Sequence, residues 1–161
     1  MRARFCTPRL FLLVFLAGAI APLHAQFASG AEPVSASVIP RDVLLQPEQL
    51  HRQLEAHAPL LILQVGSKVL YQEAHIPGAE YAGPGSRPEG LAALRARVQR
   101  LPRIQPIVLY CGCCPWNKCP NVGPAWQLLH SMGFTHVRVL YIADNFGVDW
   151  VARGYYADSS H

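Results

Sequence analysis

Charge is scarce in this 161-residue chain: 15% of its residues are Asp, Glu, Lys or Arg, against 51% hydrophobic. That balance excludes intrinsic disorder, which needs low hydrophobicity and high net charge, and the lack of any strict glycine period excludes a collagen-like fibre. No apolar run approaches the ~20 residues that span a bilayer; the longest, Leu10 to Ala21, has 12. A basic stripe of the kind that nucleic acid requires is absent too. Three of the 14 Lys and Arg residues, Arg2, Arg4 and Arg9, precede that run, which leaves 11 basic against 10 acidic residues in the rest. Cysteines are missing from most of the chain, which excludes a disulfide-stapled scaffold, because such a scaffold spreads them to close long loops. Beyond Cys6, all four lie within nine residues: Cys111, Cys113, Cys114 and Cys119.

What is present begins with a targeting pattern. Arginines, a short apolar run and then Leu23-His24-Ala25, ending on a small residue, have the form of a secretory signal peptide over residues 1–25. Cys6 lies before the apolar run, so it is not placed to become the lipidated first residue of a lipoprotein. The expectation is export, to the periplasm if the host has two membranes, with no membrane contact after cleavage. Residues 26–37 mix Ala, Ser, Gly and Pro without periodicity and are expected to form a flexible leader. One domain of ordinary size, residues 38–157, should follow.

Within that domain the pattern alternates. Pro47 to Glu55 sets Leu50 and Leu54 at helical spacing behind a proline suited to a first turn. Leu60 to Val65 is a continuous apolar run closed by Gly66, as in a strand buried on both faces. Ile107 to Tyr110 and Val137 to Leu140 predict two more strands. Glu89 to Leu101, with Leu91, Leu94, Val98 and Leu101 on one face, and Val122 to Met132, ended by Gly133, predict the intervening helices. Strand, helix, strand, helix, strand predicts an α/β three-layer sandwich with a mainly parallel central sheet.

Such a sheet binds ligands at the carboxyl ends of its strands, and Cys111 stands directly after one of them. The loop from Gly112 to Asn121 runs into a helix start, whose free N–H groups and dipole stabilise an anion or lower a thiol pKa.

Here the chain resembles the rhodanese-like domain family. Ala74-His75-Ile76-Pro77-Gly78-Ala79 is similar to the family's G-H-I-P-G-A turn, and Pro106 to Cys111 to its strand into the catalytic cysteine. Met132-Gly133-Phe134 to Leu140, then Trp150 and Gly154-Tyr155, are similar to its closing strand and helix. The resemblance implies a sulfurtransferase in which Cys111 accepts sulfane sulfur as a persulfide from a small donor and passes it to a thiol acceptor, without a cofactor. The chain departs from the family in three places. Gln64-Val65-Gly66 replaces the usual Asp-Val-Arg, the loop after Cys111 is long and free of arginine, and the stretch from Leu140 to Trp150 is extended.

The loop itself, Gly112, Cys113, Cys114, Trp116, Asn117, Lys118 and Cys119, leaves alternatives open. Cys119 or Cys114 can serve as a resolving or redox partner of Cys111, whereas adjacent Cys113 and Cys114 are poor partners because bridging them strains the peptide between. The four thiols Cys111, Cys113, Cys114 and Cys119 also suit a soft ion such as Cu(I), on a scaffold that does not turn over. A structural disulfide that pins the loop is the third reading. Zinc is disfavoured, since one crowded loop lacks two separated ligand pairs. Lys118 is either a substitute cation for the missing arginine or an ordinary solvated lysine. Trp116 either shields the sulfur or packs, while Trp126 and Trp150 are expected to pack and His75 to be a turn residue. Cysteine phosphatase and arsenate reductase chemistry is excluded, because both need an arginine fork on the oxyanion and none lies between Gly112 and Asn121. Amino-terminal sequencing of the exported protein is expected to begin at Gln26; a start at Met1 would overturn the cleavage assignment.

Overall fold

The computed structural model describes residues 36–160. The expected signal peptide, and the expected leader up to residue 35, lie outside them. Ala36 and Ile39 are buried, so the packed body begins two residues inside the span expected to be leader. At the other end it passes residue 157: Asp158 exchanges main-chain hydrogen bonds with His75, and the Ser160 N–H donates to the Gln72 carbonyl.

The chain runs β1 (Leu44–Leu45), α1 (Pro47–Glu55), β2 (Leu61–Gln64), α2 (Lys68–Glu73), β3 (Glu80–Tyr81) and α3 (Pro88–Val98), then β4 (Ile107–Tyr110), α4 (Val122–Ser131), β5 (Val137–Leu140) and α5 (Phe146–Asp149). All five strands pair in parallel, in the order β1-β5-β4-β2-β3. The expected sandwich is therefore present, and its sheet is parallel throughout. The two central strands, β2 and β4, are the ones whose sequence is apolar without alternation, as burial on both faces requires.

Period-two side-chain geometry divides the core into two. Leu63, Leu109 and Val139 face α3 and α4 and pack with Leu94, Val98, Ala125 and Leu129. Ile62, Val108 and Leu140 face the opposite way, toward Leu50 of α1, Phe146 of α5 and Trp150. Helix α1 starts where Pro47 suits the first turn, and a reciprocal cap forms there, with the Gln46 N–H donating to Gln49 Oε1 at 2.8 Å. Helix α3 stops at Val98 instead of Leu101, because Val98 is its last fully buried position and the chain turns there toward Pro102. Among the described residues, no helix is long and apolar enough to cross a membrane.

Trp150, expected to be core, is fully buried, and its indole N–H donates to the Tyr156 carbonyl at 2.9 Å, which ties the C-terminal segment to the sheet. Trp150→Ala is expected to cost about 3–5 kcal/mol, measured as a fall in the urea midpoint; a loss below about 1 kcal/mol would contradict this placement.

Candidate functional site

Cys111 directly follows the last residue of β4 and keeps the strand's alternation. Its side chain therefore falls on the same face as Ile107 and Leu109, inside the α3/α4 core, where the residue is 4% exposed. The main chain is held from β2. The Val65 N–H donates to the Tyr110 carbonyl at 2.8 Å, and the buried Gln64 side chain donates from Nε2 to the Cys111 carbonyl at 3.2 Å. Gln64 Oε1 in turn accepts from the Gly66 N–H. Two glycines make room. A Cβ on Gly66 would sit 2.9 Å from Cys111 Sγ, and Gly112 holds φ +76°, which turns the loop back over the strand end.

That reversal brings the four sulfurs together. Cys111 Sγ lies 3.0 Å from Cys113 Sγ, and Cys113 Sγ lies 3.6 Å from Cys114 Sγ. The sulfurs of Cys111, Cys114 and Cys119 all lie within 4.8 Å of one another. All four cysteines are free thiols. The shortest contact of Cys111 is thus with Cys113, while Cys119 and Cys114, named from the sequence as possible redox partners, lie within 4.8 Å of it. Asn121, absent from the sequence-derived site, donates from Nδ2 to Cys111 Sγ at 3.3 Å while its Oδ1 accepts from the Ser86 N–H at 3.1 Å. Its position at the loop-to-helix boundary was visible in the sequence; its aim was not.

Hydrogen bonding among the thiols decides where negative charge goes. The Cys111 S–H donates to its neighbours, Cys113 first and then Cys119, and burial adds to this, so Cys111 is pushed well above the usual thiol range and ionises last. Cys113 is lowered to about 6, chiefly by accepting from Cys111, with further help from the backbone N–H of Ser67. Cys119 is lowered to about 6 for the same first reason, aided by the backbone N–H groups of Val122 and Asn121. Burial raises Cys114 to about 12. The start of helix α4 was expected to favour a Cys111 thiolate; its N–H groups serve Cys119 instead.

Cys111 and Cys113 line a cavity of about 430 Å³ with Gln64, Glu73, Tyr110 and Phe146. The extended segment after β5 supplies its far wall, since the Phe146 N–H donates to the Gly112 carbonyl at 3.0 Å. No Lys or Arg is among the described residues that line it. Lys118 and Asn117 are exposed, and Lys118 is not among the groups that act on the thiols. Trp116 is half-buried against Tyr141, behind the sulfurs, with Tyr141 5.1 Å away between ring centroids. Trp126 stacks on His130, outside the site. His75 is buried, stacks on Tyr71 and hydrogen-bonds through Nδ1 to the Tyr71 carbonyl at 2.7 Å, which is a structural position at the rim.

The sequence profile of the family described as Rhodanese-like domain matches residues 46–141. No curated protein matches the chain. Among solved structures it is similar to the Alr3790 protein from Anabaena sp., at 23% identity over 71% of this chain and 82% of that one, with a TM-score of 0.55. It is similar to a thiosulfate sulfurtransferase from Pseudomonas aeruginosa, at 20% identity over 73% of this chain with a TM-score of 0.55, but spans only 20% of that longer protein. The single domain sulfurtransferase RDL2 of Saccharomyces cerevisiae matches at 16% identity over 69% of this chain and 89% of its own, TM-score 0.52. These likenesses establish the fold.

Because Cys113 is half-buried and titrates lowest together with the buried Cys119, iodoacetamide at pH 7 should label Cys113 first. The labelling rate should fall as pH drops through about 6, where its thiolate takes up a proton. Peptide mapping that found Cys111 or Cys114 labelled first would contradict this order.

Proposed function

The chain belongs to the rhodanese-like domain family, and on that premise we propose that it is a sulfurtransferase that carries sulfane sulfur as a persulfide on Cys111. The observation that carries this reading is the pair Cys111–Cys113, 3.0 Å apart at the wall of the 430 Å³ cavity on the carboxyl side of the sheet.

The pair has the form of a nucleophile with an adjacent base. Cys111 is the proton donor and Cys113 the acceptor. As Cys111 Sγ attacks the outer sulfur of a donor R–S–SH, its proton passes to the Cys113 thiolate. The donor S–S bond breaks, R–S⁻ leaves and takes that proton, and Cys111 is left as a persulfide. Attack by an acceptor thiol on the outer sulfur then restores the Cys111 thiol. No oxidant or reductant is consumed, because sulfane sulfur moves without a change of oxidation state. A cavity lined by Glu73 and, among the described residues, by no Lys or Arg favours an organic donor of low charge over a dianion such as thiosulfate, for which ion-pair recognition is lacking. The targeting pattern of residues 1–25 supports the further proposal that this chemistry operates after export.

The test is intact-mass spectrometry of the reduced protein before and after an alkyl persulfide, with thiosulfate in parallel. The expected result is a gain of one sulfur, mapped to Cys111, removed by cyanide and faster from the alkyl persulfide. The same gain in Cys111→Ser, or a gain mapped to another cysteine, would overturn the reading. Cys113→Ser is expected to slow sulfur uptake at pH 7 by about 100-fold. The deficit should shrink as pH rises, when bulk base can take the Cys111 proton, a pH dependence that a merely structural role would not produce.

A further inference from the structure

The four thiols are divided between two spaces. Cys113 lines the large cavity. Cys114 and Cys119 do not; with Cys111 they border a second void of about 10 Å³ on the inner side of the loop. The remaining side chains around this void are Trp116, Val122, Leu140 and Ile142. It offers three sulfurs and no side-chain oxygen, and its volume is at the lower limit for one water, which would find few partners there. Apolar walls around three convergent thiols describe a place for a soft ion.

We propose that Cys111, Cys114 and Cys119 form a three-thiolate binding site for Cu(I). A metal–thiolate bond of about 2.3 Å, as for zinc, places three sulfurs in a plane with edges of about 4 Å. The three sulfurs here already lie within 4.8 Å of one another, so the site closes by small side-chain adjustments and without moving the strand. Soft thiolates select Cu(I) or zinc, and the count of three decides between them. A zinc site completes a tetrahedron with a fourth ligand from the protein or from water; the remaining thiol, Cys113, lines the other cavity, and a void of about 10 Å³ leaves no room for a water beside the ion. The charge of bound thiolates is met by a donor already in place. Asn121 Nδ2 reaches Cys111 Sγ at 3.3 Å. Binding exchanges thiol protons for the ion and involves no electron transfer. Since Cys111 Sγ cannot hold the ion and a persulfide at once, a loaded site and sulfur transfer exclude each other.

The test uses the reduced full chain under anaerobic conditions, with Cu(I) supplied in competition with a chromogenic chelator. Its readout is copper, so it is independent of whether the protein transfers sulfur. The expected result is one Cu(I) per chain. Cys114→Ser and Cys119→Ser should weaken it by more than the ~10–100-fold that loss of a supporting residue costs, and Cys113→Ser by less than about tenfold. X-ray absorption on the wild-type protein, which needs no variant to fold, should show three sulfur neighbours and no nitrogen or oxygen. Failure to compete for Cu(I), equal loss in Cys113→Ser, or a light-atom ligand would overturn the proposal. Zn(II) bound as tightly through the same three thiols would overturn the choice of ion.

Discussion

The thiol end of the sheet depends on the pairing of β2 with β4 and on its continuation beyond both strands. The ladder ends at Gln64 and Tyr110, yet the Val65 N–H and the Gln64 side-chain amide carry it two hydrogen bonds further, onto the carbonyls of Tyr110 and Cys111. A loop residue is thereby held as firmly as a strand residue. A buried amide such as Gln64 is costly unless its donors and acceptor are used. Here Nε2 meets two carbonyls, of Cys111 and Ser67, and Oε1 meets the Gly66 N–H. The group that fixes the cysteine is therefore itself fixed.

With Cys111 held, the rest of the site is an electrostatic problem solved without cations. Four sulfurs within a few ångströms cannot all be charged, and no arginine or lysine is among the described residues that line their cavity. The solution is to share protons among the thiols and to direct amide donors at the sulfurs that carry charge. Ser67, ahead of α2, serves Cys113, while Asn121 and Val122, at the start of α4, serve Cys119. These donors come from two separate segments, so the charge distribution belongs to the fold and not to the loop alone.

How much of this was legible in the sequence follows from the length of each signal. The apolar run of β4 and the shorter, more alternating pattern of β5 marked both strands to the residue, and the proline and glycine flanks marked α1 and α4 to within a residue or two. Strands β1 and β3, of two residues each, are too short to show a period, and α2 and α5 lack a run of turns long enough to display a stripe. The cysteine cluster was evident as a cluster. Its internal geometry was not, because the left-handed backbone at Gly112 folds Cys113 onto Cys111, and a glycine does not reveal in the sequence which conformation it takes. The roles of Gln64, noted only as a departure from the family, and of Asn121, noted only as the end of the loop, were hidden for a related reason. Each acts across 47 and 10 residues respectively, and polar side chains at a strand end and a helix start have commoner uses.

The 2.9 Å approach of a Gly66 Cβ to Cys111 Sγ has an evolutionary consequence. The third position of the motif after β2 and the contents of the loop after β4 are not free to drift independently. Any side chain at position 66 must displace the sulfur at position 111, and a displaced sulfur no longer fits the crowd of thiols around it. Two positions 45 residues apart are therefore coupled by packing: an arginine at position 66 would shift Cys111 Sγ, and with it the 3.0 Å contact to Cys113.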